Sequence, residues 1–417
     1  MKRGQYQLDF LNKIAFNRYG GTDDELRAAN IIADEVRALG GEPVIEDFVV
    51  EAFKMEKATL TVTKPYYKEL IVEGVGRSGS TPEEGITAPF VYVENADPIA
   101  LRDVKGKIIM VNNTGYETYK RMVNSGAVGF VVFSGAFNDA EERTDIDKRM
   151  LRPLITENGT IPGVCLRCAE AIKLVQEGAE EVTMTVKQEN CKNVSRNVTA
   201  FIEGTEFPEE IILFTAHYDS TIYGNGAWDN ASGSANILEM FKYYKANPPK
   251  RSMRFIWCGS EEQGLLGSKA YAEAHPEEVE KFVLCMNFDM TGTTLGYGLT
   301  LITGDQSLRD YAESSAREIG YTTRWTMGVH SSDSAPFAKL GVPAIGIARD
   351  GQAGGHSRWD IVWPLSGDTL ERATDYAKHV IDKAANAEIF PIERKMPDDM
   401  KEKLENYFRY GKKVEKK

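Results

Sequence analysis

The sequence predicts an α/β fold: a mixed, mostly parallel central sheet with helices on both faces, interrupted by a β-rich block. Three observations predict it. From residue 197 onward, apolar strand-like runs alternate with helical patterns, which is how a sheet covered by helices reads. Over 58–185 short β-rich runs dominate instead. The length of 417 residues, at roughly 100–200 per domain, allows two or three domains and a large core. Hydrophobic residues at 42% and charged residues at 27% exclude a disordered chain. No apolar stretch reaches the roughly 18 residues of a spanning helix, so no membrane partner is expected.

The elements follow in chain order. Thr22-Asp23-Asp24-Glu25 is a capping box, and Leu26, Ala29, Ile32, Val36 and Leu39 recur at helical spacing until Gly40-Gly41 stops the helix. The β-rich block has strand-like runs at 59–63, 90–93, 107–111, 129–133 and 182–186, one helix near 116–125, and no histidine. Beyond it, 198–202, 211–215, 253–257 and 283–288 read as buried strands, and 232–247, 265–274 and 308–319 as helices. The charged end, closing on Lys412-Lys413-Val414-Glu415-Lys416-Lys417, reads as a solvated helix and frayed tail.

Charge and cysteine usage narrow the class. Fifty Lys and Arg against 62 Asp and Glu give −12, a surface that repels phosphate backbones, so no nucleic acid is expected. Asp9, Asn12, Lys13 and Asn17 interrupt any signal-peptide core, and five cysteines without a disulfide spacing agree with a cytoplasmic location. Cys165 and Cys168 form a C-x-x-C with no second pair, and they read as small buried hydrophobes rather than a redox or metal site.

All five histidines (His217, His275, His330, His356 and His379) follow residue 197. Sites in open α/β sheets form at the carboxyl ends of strands. The run 211–215 leads into His217, with Asp219 placed to orient its imidazole. Asp229 lies in a Gly-rich loop before a helix, and taken alone it reads first as an N-cap. The run 253–257 leads to Glu261-Glu262. Two adjacent carboxylates repel unless a cation compensates them, in which case one binds metal and the other takes a proton; the alternative is a solvated acidic turn. Asp289 closes an apolar run and needs a partner if buried. His356 follows another Gly-rich loop, with Asp360 close by. Nitrogen and oxygen ligands without thiolates suit zinc, or else cobalt or manganese. Five such ligands exceed one tetrahedral site with an open position; they suit two metals about 3.5–4 Å apart that share a carboxylate.

The motifs HYDS, GAWDNASG, CGSEEQGLLGS, NFDM and HSRWD resemble those of the co-catalytic zinc aminopeptidase family of clan MH, which also contains glutamate carboxypeptidases and glutaminyl cyclases. The resemblance covers about 197–385 and the capped helix before Gly41. It implies the zinc exopeptidase fold and two Zn2+ per chain, with Co2+ or Mn2+ as substitutes. It implies that His217 and Asp289 hold one metal, Glu262 and His356 the other, and that Asp229 bridges them. Glu261 becomes the general base and Asp219 the residue that orients His217. The β-rich block resembles a protease-associated domain through 103–111, 125–132 and 161–164. That divides the chain into a catalytic domain, 1–57 with 193–417, and a lid domain, 58–192.

Two places depart from the family pattern. Thr291-Gly292-Thr293-Thr294 follows Asp289-Met290 where an aliphatic residue is usual, and His330-Ser331 precedes Ser332-Asp333 where glycines are frequent. His330 is thus either a donor facing the substrate or a polar loop residue, and no tyrosine aligns for the oxyanion. The implied activity is a metal-dependent aminopeptidase acting on peptides, with the free α-amine expected against the metal of His217 and Asp289. A homo-oligomer is compatible with the sequence. A carboxypeptidase or dipeptidase of the same fold would need arginines for the substrate carboxylate, and Arg324, Arg349 and Arg358 are the candidates. A glutaminyl cyclase, which generally uses one zinc, and a non-catalytic binding protein, which should have lost ligands, fit less well.

Overall fold

The capping box at Thr22 forms, with a twist in its second half. In the computed structural model, which describes residues 2–137, 146, 148–222 and 224–410, helix α1 (Gln5–Ile14) is followed by α2 (Asp23–Ala38). The Thr22 hydroxyl accepts the Glu25 backbone N–H at 3.2 Å. The Glu25 carboxyl does not reach back to Thr22. It accepts the Gly21 N–H at 2.7 Å and the Ser195 hydroxyl instead. Helix α2 ends before Gly40, whose φ of +80° is the left-handed value that favours glycine. The sequence reading passed over α1, although Gln7, Phe10, Leu11 and Ile14 make its buried stripe at helical spacing. The tail Lys412–Lys417 lies outside the described residues.

The chain divides into two units, Glu51–Asn193 and Met1–Val50 with Val194–Lys417. The long strand β1 (Val44–Lys64) leads out of the larger unit. In the smaller unit β2 (Lys68–Leu70) pairs with β1. There follow β3 (Val72–Gly74), β4 (Ile86–Tyr92), β5 (Ile108–Met110), α3 (Tyr116–Asn124), β6 (Gly129–Ser134), α4 (Pro153–Thr156), β7 (Gly163–Arg167) and α5 (Cys168–Gln176). Strands β4, β5, β6 and β7 are parallel neighbours. Alternate residues face two cores: Ile108, Met110 and Val131 pack in one, Ile109, Phe130 and Val132 in the other. A strand buried on both faces reads as an unbroken apolar run. Cys165 is fully buried there as expected, whereas Cys168, at the start of α5, is only half-buried; neither is in a disulfide.

Strand β8 (Glu181–Ile202) brings the chain back to the larger unit. Its remaining elements are β9 (Phe207–His217), α6 (Ser232–Ala246), β10 (Arg251–Cys258), α7 (Leu266–Ala274), α8 (Pro276–Val279), β11 (Phe282–Phe288), β12 (Gly296–Thr303), α9 (Gln306–Glu318), β13 (Thr323–Met327), α10 (Ser334–Lys339), β14 (Ala344–Gly351), α11 (Gly367–Asn386) and α12 (Asp398–Tyr410). The sheet order is β13-β12-β14-β11-β9-β10-β8. Central pairs are parallel, while β10–β8 and β12–β14 are antiparallel. Phe214, Phe255, Met286 and Ile345 face a core shared with α1, α6 and α11. Their neighbours Leu213, Ile256 and Cys285 face Tyr271 and Phe337 on the other side. Helices therefore cover both faces, and the ends of β9, β10, β11 and β14 open side by side. No helix among the described residues is long and apolar enough to cross a membrane.

Glu25 gives a pH test of this packing. Burial raises its carboxyl to about 8, far above the usual carboxylate range. The folded state thus binds this proton more tightly than the unfolded chain does. Its contribution to stability is complete at low pH and is lost as pH rises through about 8. Glu25→Gln should remove that loss. Thermal unfolding followed from acid to alkaline pH should show the wild type falling relative to the variant; parallel curves would mean that Glu25 is charged in the fold.

Candidate active site

Register places the first candidate ligating side chains. His217 ends β9 directly opposite Cys258 of β10, and the Tyr218 N–H donates to the Cys258 carbonyl at 2.9 Å. Asp289 leaves β11 with its N–H bonded to Ile347 of β14 at 3.1 Å. Glu261 and Glu262 follow β10, and His356 follows β14. Ser260, Met290 and His356 all have φ between +51° and +58°, so left-handed residues precede Glu261, follow Asp289 and include His356 itself. Hydrogen bonds hold two of these residues: the Ser260 hydroxyl to Ser195 at 2.8 Å, and the Met290 N–H to Asn230 Oδ1 at 3.1 Å.

Asp229 stands at the centre. Its Oδ1 lies 3.1 Å from His217 Nε2 and its Oδ2 lies 3.0 Å from His356 Nε2. Asp289 Oδ1 is 3.5 Å from His217 Nε2, and Glu262 Oε1 is 3.3 Å from His356 Nε2. The structure thus brings His217, Asp229 and Asp289 into one triad and Asp229, Glu262 and His356 into another, with the ligand atoms of each within 4.8 Å of one another. Asp219 Oδ1 lies 3.4 Å from His217 Nδ1, on the side away from Asp229. Asp219 also accepts the backbone N–H groups of Glu261 and Glu262 at 3.0 and 3.3 Å, so one carboxylate holds the acidic turn and lies against the imidazole.

Two residues take places that the sequence left open. Asp229 is no helix cap: α6 starts at Ser232 after an irregular turn at Ala227–Ala231, with Ala231 at the N-cap position. Asp360 does not serve His356. Its two oxygens accept the backbone N–H groups of Trp228 and Asp229 at 2.6 and 3.1 Å, which fixes the loop that presents Asp229. The Asp229–Asn230 peptide is cis.

Other positioning residues escaped the sequence reading. Asn230 donates to the Phe288 carbonyl at 2.9 Å and accepts from Gly233 at 2.8 Å, joining the Asp229 turn to the end of β11. Arg18 is fully buried and donates to the carbonyls of Tyr218, Asn225 and Gly226. Such partners are backbone groups, so no motif announces them. His275 and His379 pair with Glu46 and Glu318 and belong to neither triad. His330 is half-buried, with its Nε2 enclosed and without a hydrogen-bond partner.

The charges are uneven. Burial raises the Glu261 carboxyl well above the usual range; Glu262, Asp333 and Asp289 add to that and His217 opposes it. Burial and Asp229 push Glu262 up to about 7. Asp229 stays below its usual range despite burial, because His217 and His356 both donate to it. The same contacts from Asp229 and Glu262 raise His356 to about 11. Glu262 Oε1 and Asp289 Oδ1 are buried without a hydrogen-bond donor. Orphaned anionic oxygens beside imidazole nitrogens are a donor set for divalent metal of borderline softness.

Residues 197–381 match the model of Peptidase family M28. This segment belongs to that family. Aminopeptidase YwaD of Bacillus subtilis is 26% identical to the chain over 409 residues, spanning 94% of this chain and 86% of that protein. Carboxypeptidase Q of Mus musculus is 28% identical over 328 residues, spanning 73% and 68%. Among solved structures, the zinc aminopeptidase BSAP from Bacillus subtilis superposes with a TM-score of 0.79, covering 95% of this chain and 98% of that one at 23% identity. The aminopeptidase from Aneurinibacillus sp. strain AM-1 gives 0.75, covering 94% and 96% at 21% identity. These superpositions show the fold.

Asp360 offers a test that touches no ligand. Asp360→Asn keeps the shape but loses one acceptor for the two amides of the Asp229 turn. Zinc affinity should fall about 10–100-fold, the usual effect of removing a support behind a ligand, with the circular dichroism spectrum unchanged. Unaltered affinity would show that the turn holds Asp229 without it.

Proposed function

We propose that the chain is a zinc-dependent aminopeptidase that removes N-terminal residues from peptides, using two metal ions per chain. The arrangement that carries this reading is Asp229, one oxygen toward each imidazole, with Glu261 beside the pair. The M28 segment supports the reaction class, and the zinc aminopeptidases among its relatives support the metal and the substrate end. His217 and Asp289 would hold one ion, Glu262 and His356 the other, and Asp229 both. Zinc bound there supplies Lewis acidity to the scissile carbonyl and makes water acidic near neutral pH.

The chain's own groups do the proton work. Glu261 shares a turn with Glu262 but belongs to neither triad, so its carboxylate is left to move a proton. Burial raises its affinity for that proton, which suits a base that must first accept from water and then donate to the leaving amine. Asp219 keeps His217 in one orientation and keeps the backbone of Glu261 and Glu262 in register with it. The surrounding carboxylates favour an ammonium at the substrate end that is read.

A carboxypeptidase reading remains in view because carboxypeptidase Q is among the relatives. The arginines it would need are occupied differently. Arg324 lies over the Tyr297 ring at 4.0 Å and Arg358 over Trp359 at 5.0 Å. Arg349 gives Nε and Nη2 to the carbonyls of Thr293 and Gly296. In the same reading the unit Glu51–Asn193 is a protease-associated domain, since its characteristic segments build β5, β6 and the entry to β7. None of the five cysteines is in a disulfide, which supports a reducing compartment, the cytoplasm.

Glu261→Gln should retain both metals and lose about 10²–10⁴ in turnover, the worth of a positioned general base. Near-normal activity in that variant would exclude Glu261 as the base. The substrate end is decided by paired peptides. Acetylating the N-terminus should abolish cleavage, whereas amidating the C-terminus should leave it intact. The reverse pattern would assign the carboxypeptidase activity.

A further inference from the structure

Two arginines of the larger unit line a small cavity that no carboxylate lines. Arg349, at the end of β14, and Arg372, in the second turn of α11, line one small cavity together with Tyr321 and the threonines Thr291, Thr322 and Thr369. No acidic side chain lines it. In a chain whose charge is −12, unopposed cations at close quarters call for an explanation.

Each group has spare capacity. Arg349 is half-buried, and its hydrogen bonds go to the neutral carbonyls of Thr293 and Gly296 at 2.6 and 2.9 Å, so its charge is not neutralised. Arg372 makes no hydrogen bond and no ion pair among the described residues. The carboxylates at helical spacing from it, Asp368 and Asp375, are both taken by Arg3. The Tyr321 ring stacks on Tyr376 with centroids 4.3 Å apart, and its hydroxyl has no partner among the described residues. Both guanidinium groups act on that hydroxyl, and they repel each other. The first turn of α11 adds the positive end of a 20-residue helix.

Two guanidinium groups without an acidic side chain in the cavity they line are a donor set for a small anion. We infer that Arg349 and Arg372, beside Tyr321, form a binding site for one small inorganic anion, chloride being the natural occupant. The site has a mechanical consequence. The Arg349 backbone N–H donates to Met290 at 2.9 Å, and its side chain holds Thr293 and Gly296. A bound anion therefore braces the segment that directly follows Asp289.

Bromide is the probe, because it matches chloride in charge and is visible by anomalous scattering. Crystals of the full chain grown in sodium bromide should show an anomalous peak in contact with the Arg349 and Arg372 side chains. In solution, replacing gluconate by bromide at equal ionic strength should raise the melting temperature along a saturating curve, as expected of a ligand that binds only the folded state. Arg372→Ala, at an exposed position, should lose both the peak and the saturating response; Lys378→Ala, a nearby cation outside this cavity, should keep them. No bromide peak, or the same response in Arg372→Ala, would overturn the proposal and leave the cavity to water. Neither readout depends on peptidase activity, so this result and that of the Glu261 variant can fail separately.

Discussion

One carboxylate, Asp229, meets both imidazoles of the site, and much of the larger unit is built to hold it there. Asp360 clamps its turn through two backbone N–H groups, Asn230 ties the same turn to the end of β11, and Arg18 pins the preceding loop to the end of β9. Each of these supports joins segments that are far apart in the sequence. The parallel β9, β10, β11 and β14 deliver His217, the Glu261–Glu262 turn, Asp289 and the His356 loop to one edge, and Asp229 is the group through which they communicate.

That edge is heavily acidic for its degree of burial. Glu261, Glu262 and Asp333 all have carboxyls displaced upward by burial, and Glu262 and Asp289 keep oxygens without donors. Protons alone would relieve this by neutralising the carboxyls, and a protonated Glu262 or Glu261 could neither ligate nor act as base. Divalent cations resolve the same conflict while leaving the carboxylates charged. The arrangement is therefore one in which the protein's own electrostatics favour metal, and in which Glu261, the proposed base, is separated from Glu262 by a single peptide unit.

Much of this was legible in the sequence, for a physical reason. The candidate ligands His217 and Asp289 sit where apolar runs end, and an apolar run ending in His or Asp is conspicuous. Elements buried on both faces, such as β5, β6, β9 and β11, were equally plain as continuous hydrophobic runs. What escaped depends on contacts with backbone groups or on broken patterns. Asp360 was read as a neighbour of His356 because it is four residues away, whereas its true partners lie 131 and 132 residues back. Arg18 donates only to carbonyls, which carry no residue identity. Strand β12 is interrupted by Gly296 and Gly298, and the polar positions of α1 masked its apolar stripe. Arg349 was considered as a carboxylate clamp; the structure gives its nitrogens to the segment after Asp289.

The central claim is that Asp229 serves two metal ions at once, and metal stoichiometry tests it most directly. Metal-free protein titrated with zinc against a competing chelator should take up two equivalents per chain, and Asp229→Ala should lose tight binding of both. A single equivalent in the wild type, or two tight equivalents in Asp229→Ala, would contradict the account.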